Sequence, residues 1–279
     1  MWRLVPVTIA VASLGSSDLR AWGGQGHRVI GLIAAHHLTP AARAQVAWLL
    51  DNQTLAGVST WADDYRDSVY QTFSWHFVDI PLEATRYDRD RDCPRQPRVT
   101  PGARADVWRD CIVDRIAYNQ ERLGNPKLDR ADRAVALKFL VHFVGDLHQP
   151  FHALGFEDGA NGVLVSWMGS PNCSADPARP IRCNLHAVWD GRLIGQRRLD
   201  DGGYAGALEA LITQKGWQVQ PAGTPAAWAT QSFQLSKAAL LPQNGHADQA
   251  YYEKHIAIVD EQLALAGLRL AAVLNAILK

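Results

Sequence analysis

The sequence predicts a mostly α protein: a single multi-helix domain with long loops and little β. Apolar residues recur at helical spacing through most of the chain. Gly-, Pro- and Asn-rich stretches at 81–103 and 155–183 interrupt the helices without forming a linker between two domains. No internal repeat of fixed period is present. Of the 279 residues, 47% are hydrophobic, including ten Trp, which is enough for a sizeable core. The formal net charge is zero. No basic surface therefore announces a polyanion, although bound divalent cations would supply positive charge locally.

The elements follow in order. Arg3, the apolar stretch Leu4 to Gly15 and a polar run ending in Ala21 predict a signal peptide over residues 1–21. Its apolar part is too short to span a bilayer. The domain is then expected to occupy 22–279, starting at Trp22, in a secreted or periplasmic protein. Val29, Ile30, Ile33 and Ala34 place a helix over Gly26 to His37, and Thr39-Pro40 caps the next, which runs to about Leu50. Ser59 is the expected cap of a third helix containing Trp61, Asp63, Asp64 and Arg66. Phe73 to Asp79 (FSWHFVD) reads as extended, and 81–103 as a surface loop tied down at Cys93.

Helices are expected over Asp106–Leu123 and Arg130–Leu147, a strand over Val163–Trp167, and a helix over Leu185–Arg197. Three more, Tyr204–Gln214, Ala226–Leu241 and His246–Leu278, complete a helical C-terminal half. The last packs through Ile256, Val259, Leu263, Ala266, Leu270 and Leu274. Four cysteines in an exported chain suit two disulfides, with three possible pairings. Proximity favours Cys93–Cys111 and Cys173–Cys183; the second would remove roughly 3 kcal/mol of unfolded-chain entropy.

The chemistry concentrates in Lys138 to His152, KFLVHFVGDLHQPFH. His142 and Asp146 lie four residues apart, on one face of an apolar helix, and Pro150 breaks the run before His152. His186 and Asp190 repeat the spacing in NLHAVWD. Each pair alone fits either satisfied core histidines or a metal centre; two pairs in one chain favour metal. With His27, Asp63 and His76, eight imidazoles and carboxylates are available without a thiolate, a donor set suited to hydrolytic zinc. That exceeds one tetrahedral ion and implies two or three, provided the segments converge.

The motifs WGGQGH from Trp22, STWADDYR, WHFVD, HFVGDLHQPFH and NLHAVWD, in that order, resemble the trinuclear-zinc, single-strand-specific nucleases. These are relatives of zinc phospholipase C within one superfamily, whose fold the chain is expected to share. The resemblance implies three Zn2+. Asp63, His76, His142 and Asp146 hold the first; the α-amino group and carbonyl of Trp22, with His27 and Asp146, hold the second; His152, His186 and Asp190 hold the third. It implies an endonuclease on RNA and single-stranded DNA giving 5′-phosphate products, with 3′-nucleotidase activity, using a hydroxide activated by the cluster.

In this reading Asp63 orients the nucleophile and Arg66 steadies the phosphate, though Arg66 taken alone would be a surface ion pair. Phe77 and Asp79 take the base, and Asn161 stands at the end of Gly159-Ala160-Asn161 where the family has Gly-Gly-Asn. The substrates are single-stranded nucleic acid and 3′-nucleotides, with no membrane span and no protein partner. The alternative is a zinc phospholipase C acting on phospholipid head groups. The segment from Met168 to Arg182 is expected to line the cleft. His36 and His37 are expected to cap helix carbonyls, and His148 to bond locally.

Overall fold

Helix α1 (Gly23–His36) buries Val29, Ile30, Ile33 and Ala34 completely along one stripe. That stripe packs against α3 (Leu55–Val58), α11 (Asp201–Lys215) and the 29-residue α13 (Gln249–Ile277). The computed structural model describes residues 22–93, 108–174, 178, 180–217 and 223–279. The expected signal peptide, residues 1–21, lies outside them.

Between α1 and α3 comes α2 (Pro40–Leu49), where Thr39 Oγ1 accepts the Ala42 N–H at 3.2 Å as expected. Helix α4 (Trp61–Ser68) does not start on Ser59, contrary to expectation. Ser59 Oγ donates to Ala56 O at 2.8 Å and so closes α3, and Thr60 stands before α4 without a side-chain cap bond. Asp63 and Asp64 then sit in the first turn of α4, where the helix dipole favours negative charge.

The aromatic segment is extended only in part. Tyr70–His76 is a 3-10 helix, because Thr72 closes a tight turn onto Val69 O with both its N–H and its hydroxyl at 2.9 Å; the chain straightens from Phe77 onward. The loop after it contains the short α5 (Arg89–Asp92), capped by Asp88, while 94–103 lie outside the described residues. The disulfide Cys93–Cys111 fastens this loop to the start of α6 (Ile112–Gly124). That helix starts later than expected because Asp110 is engaged elsewhere. It accepts Trp75 Nε1–H at 3.0 Å and Arg115 Nη2–H at 2.5 Å, and the Arg115 guanidinium lies 4.1 Å over the Trp75 ring. A fully buried arginine is tolerable because it is paired in this way.

Helices α6 and α7 (Arg130–Leu147) form a hairpin at the centre of the molecule. Residues Ala136, Leu137 and all those from Phe139 to Leu147 are buried. Pro150–Ala153 is a 3-10 turn packed on α12 (Pro225–Ala239). After α8 (Glu157–Ala160) comes β1 (Val165–Trp167), which pairs in parallel with β2 (Gly245–Ala247) in the register Ser166↔His246. His246 therefore belongs to a strand rather than to the last helix, which begins only after Asp248 caps it by accepting the Tyr251 N–H at 3.0 Å.

The helix expected over Leu185–Arg197 is three pieces: α9 (Leu185–Ala187), a π-helical turn Val188–Arg192, and α10 (Leu193–Gly195). The second disulfide, Cys173–Cys183, follows the favoured pairing. No helix among the described residues is long and apolar enough to cross a membrane.

The α1–α3 contact depends on Gly31. A Cβ there would lie 2.7 Å from the Ala56 Cα and N, backbone atoms that cannot swing aside. Gly31→Ala is expected to destabilise the protein by about 1–3 kcal/mol through overpacking, read as a lower urea midpoint with an unchanged slope.

Candidate metal centre and binding cavity

Helix α7 carries His142 and Asp146 one turn apart, fully buried, with His142 Nε2 3.1 Å from Asp146 Oδ2. Three other elements converge on them. From α1, His27 places Nε2 3.1 Å from Asp146 Oδ1 and stacks on His142 with ring centroids 4.1 Å apart. Helix α4 brings Asp63 Oδ1 to 3.5 Å from His142 Nε2. The end of the 3-10 segment brings His76 Nδ1 to 3.0 Å from Asp146 Oδ2 and 3.9 Å from Asp63 Oδ1.

A third group lies beside these. His186 Nε2 is 3.4 Å, and His152 Nε2 3.9 Å, from the oxygens of Asp190. Within each of the sets His27/His142/Asp146, Asp63/His76/His142 and His152/His186/Asp190, the ligating atoms all lie within 4.8 Å of one another.

The imidazoles are aimed by the backbone. His142 Nδ1 donates to Ser59 O at 2.7 Å, His152 Nδ1 to His76 O at 2.8 Å, and His186 Nδ1 to Gly159 O at 2.7 Å. A carbonyl can only accept, so each Nδ1 carries a proton and each Nε2 is turned toward the carboxylates. Gln149, fully buried, does the same for the third group: its Nε2–H donates to Asp190 Oδ1 at 2.6 Å while its Oε1 accepts the Phe151 N–H. Ligand histidines and carboxylates are held by such partners in metal sites generally.

The donor set fits divalent cations. His27 Nε2, both Asp63 oxygens, Asp146 Oδ1 and His152 Nε2 are buried without hydrogen-bond partners, and all point into these groups. A native interior rarely leaves polar atoms in that state unless an ion or water satisfies them. Burial pushes the His27 and His76 imidazoles down, into the neutral form that ligates metal. Burial lowers His142 too, but Asp146 and Asp63 outweigh it and raise it to about 9. Asp146, which burial alone would push up, is held well below the usual carboxylate range by its three histidines. In the third group, burial takes His152 down to about 3 and Asp190 up to about 6.

Trp22 stands before α1 with left-handed backbone (φ 42°) and is fully buried. Its carbonyl accepts the Gly26 N–H at 3.0 Å. A Cβ on Gly23 would lie 3.1 Å from Asp190 O, so the chain enters the fold alongside the third group.

A cavity of about 570 Å³ opens over His76, His152, His186 and Asp190. Its wall carries Arg66, Phe77, Asp79 and Asn161, so the expected substrate residues share one cavity. Arg66 is not a plain surface pair: Nη1 lies 3.4 Å from Asp63 Oδ1, and its guanidinium sits 5.9 Å over Phe73. Phe73, which the sequence reading left aside, meets Phe77 edge to face at 5.4 Å. Asp158 was also missed; it lines the same cavity beside Asp79. A signal for both existed, since an aromatic and an acid flank motif residues, but nothing in the spacing showed that they face inward.

Ala160, where the family has Gly, adopts the glycine conformation (φ 64°) as the last of four left-handed residues from Glu157. Non-glycine residues pay about 1–2 kcal/mol each for this backbone; here the turn delivers the Gly159 carbonyl to His186.

Two expectations are corrected. The cavity lining stops at Asn161 and resumes at His186, so no described residue of 168–182 reaches it. His36 and His37 do not cap carbonyls but face Glu209. His148 is a local bonder: it donates from Nδ1 to Val144 O at 2.6 Å and accepts from Arg269 at Nε2.

The sequence from 22 to 279 matches the family model described as S1/P1 Nuclease. Among similar proteins, Nuclease P1 of Penicillium citrinum is 28% identical, covering 92% of this chain and 97% of its own. Nuclease S1 of Aspergillus oryzae is 28% identical, covering 99% and 98%. Endonuclease 2 of Arabidopsis thaliana is 25% identical, covering 93% and 91%.

Asp79 supplies a pH signature. Partial desolvation by the surrounding cavity wall pushes its carboxyl up to about 6, and the charges of Asp158 and Asp92 add to this. A raised folded-state pKa means that the stabilising protonated form is fully present below about 3.8 and lost as pH rises through about 6. Asp79→Asn is therefore expected to be more stable than the parent above pH 6, the gain vanishing below about pH 4, as read from urea unfolding across that range.

Proposed function

We propose that this chain, which belongs to the S1/P1 nuclease family, is an exported zinc-dependent phosphodiesterase cleaving RNA and single-stranded DNA to 5′-phosphate products, with 3′-nucleotidase activity. The observation that carries the proposal is the convergence of three His/Asp groups beside a cavity that His76, His152, His186 and Asp190 line, and whose wall holds a cation, an aromatic ring and an acid. Two disulfides support a secreted or periplasmic location, since such bonds persist in oxidising compartments.

Three zinc ions fit the donors. Asp63, His76, His142 and Asp146 would hold one; the Trp22 amine and carbonyl, His27 and Asp146 the second; His152, His186 and Asp190 the third. Zinc supplies Lewis-acid stabilisation of phosphate charge and depresses the pKa of water, so that phosphodiester hydrolysis runs near neutral pH. The Trp22 amine is a ligand only after removal of residues 1–21, because an amide nitrogen has no lone pair to give. Processing is then a condition of full metal loading.

The side chains divide the remaining work. Arg66 offers a planar fork of donors to the phosphate oxygens, and its contact with Asp63 keeps the two residues in register across the scissile group. Asp63, fully buried, orients the attacking water. Gln149 holds Asp190 so that the third group keeps its shape while charge builds on the leaving 3′-oxygen. Phe77 provides a face for a base and Asp79 an edge acceptor. A base reaches that slot only when unstacked from its neighbours, which gives the single-strand preference a physical cause.

The decisive comparison sets phosphate release from 3′-AMP and cleavage of RNA and single-stranded DNA against hydrolysis of phosphatidylcholine. Nucleotide and polynucleotide turnover is expected, abolished by chelator and restored by Zn2+. Lipid turnover without nucleotide turnover would replace this reading with the phospholipase C alternative. Phe77→Ala is expected to raise KM for oligonucleotides roughly 5- to 150-fold, the equivalent of about 1–3 kcal/mol of lost stacking, with a much smaller effect on kcat in steady-state assays.

A further inference from the structure

The end of α1 remote from His27 carries a second constellation. His36 lies in the last turn and His37 is the cap residue, and both imidazoles face a single carboxylate, Glu209 of α11. His36 Nδ1 is 2.9 Å from Glu209 Oε1, and His37 Nε2 is 3.0 Å from Oε2. The rings are 5.2 Å apart and tilted by 49°, so they straddle the carboxylate rather than stack.

The two contacts differ in kind. His37 to Oε2 has hydrogen-bond geometry. Glu209 Oε1 is buried and has no hydrogen-bond partner, although the His36 nitrogen is only 2.9 Å away. Close approach without hydrogen-bond alignment means that the nitrogen and the oxygen do not satisfy one another. The same signature marks His27 Nε2 and Asp146 Oδ1, which are 3.1 Å apart and both unpartnered.

We infer that His36, His37 and Glu209 form a further cation site, separate from the cavity cluster, for zinc or another borderline divalent metal. The three ligating atoms lie within 4.8 Å of one another. Two imidazoles and one carboxylate select zinc-like ions over calcium or magnesium, which prefer all-oxygen shells. The His36 side chain is 70% exposed while His37 and Glu209 are 23% and 22% exposed. Metal enters from solvent, and water completes its shell.

Such an ion cross-links α1 to α11 near the C-terminal end of α1. Nearer the other end the same helices are joined by Arg28 and Asp201 at 2.5 Å. The backbone at the site is already braced, since His37 O accepts from Asn275 Nδ2 at 3.0 Å and Asn275 Oδ1 accepts the Thr39 N–H. Nine residues of helix separate His36 from His27, roughly 14 Å, so the ion stiffens the helix that presents Trp22 and His27 without touching the cavity.

The test compares the full chain with His36→Ala and Glu209→Gln after equilibrium dialysis against micromolar Zn2+. Metal per chain is measured by plasma mass spectrometry, and folding by circular dichroism. Because the cavity ligands are intact in all three proteins, their zinc cancels in the difference. Each variant is expected to hold one zinc fewer than the parent. Raising free Zn2+ from chelator-buffered to micromolar levels should also increase Tm more in the parent than in either variant. Equal zinc content in parent and variants, with equal Tm responses, would overturn the site and leave a plain histidine–glutamate ion pair.

Discussion

Asp63 and Asp146 are carboxylates with no exposure at all, set among buried residues of an α-helical core. An uncompensated buried charge costs several kcal/mol, against a typical total stability of 5–15 kcal/mol. Much else in the structure answers that constraint. Three imidazoles, His27, His142 and His76, are brought to these carboxylates from α1, α7 and the segment before Phe77, and Arg66 is brought from α4. With cations bound, the charge is neutralised and the apolar sequence of α7 becomes compatible with the acid in its middle.

Convergence of this kind requires precise supports, and these lie outside the motifs. His76 sits where it does because Trp75 beside it is pinned by Asp110 and Arg115, and Cys111 next to Asp110 is fastened to Cys93. Pro150 lets the chain leave the α7 axis so that His152 can donate to His76 O rather than continue upward. The left-handed turn from Glu157 to Ala160 stores backbone strain to present one carbonyl to His186. Asp190 lies in a π-helical turn, a widened geometry frequent at functional sites.

Most of the helices were legible because burial of one stripe leaves a period in the sequence. Arg130–Leu147 is recovered at both ends, with Asp129 capping its start. The misreadings share a cause. Ser59 has the chemistry of an N-cap but is recruited to close the preceding turn. Phe73 to His76 has strand-like composition, yet a local hydroxyl–carbonyl turn and ring packing coil it. Gly245–Ala247 joins a strand 80 residues away, a partner no local window contains.

The sequence by itself singled out the candidate ligands, because two imidazole–carboxylate pairs at helical spacing inside apolar segments favour a metal centre over satisfied core histidines, and the motif order resembled one family. It also determined the favoured disulfide pairing through proximity. Only the tertiary structure decided how these groups meet: which nitrogen of each histidine faces inward, that Gln149 holds Asp190, that Phe73 and Asp158 share the cavity with Phe77 and Asp79, and that His36 and His37 face Glu209. Those facts depend on contacts between residues distant in the chain. A pattern of neighbours along a helix records which face is buried, but not what stands opposite that face.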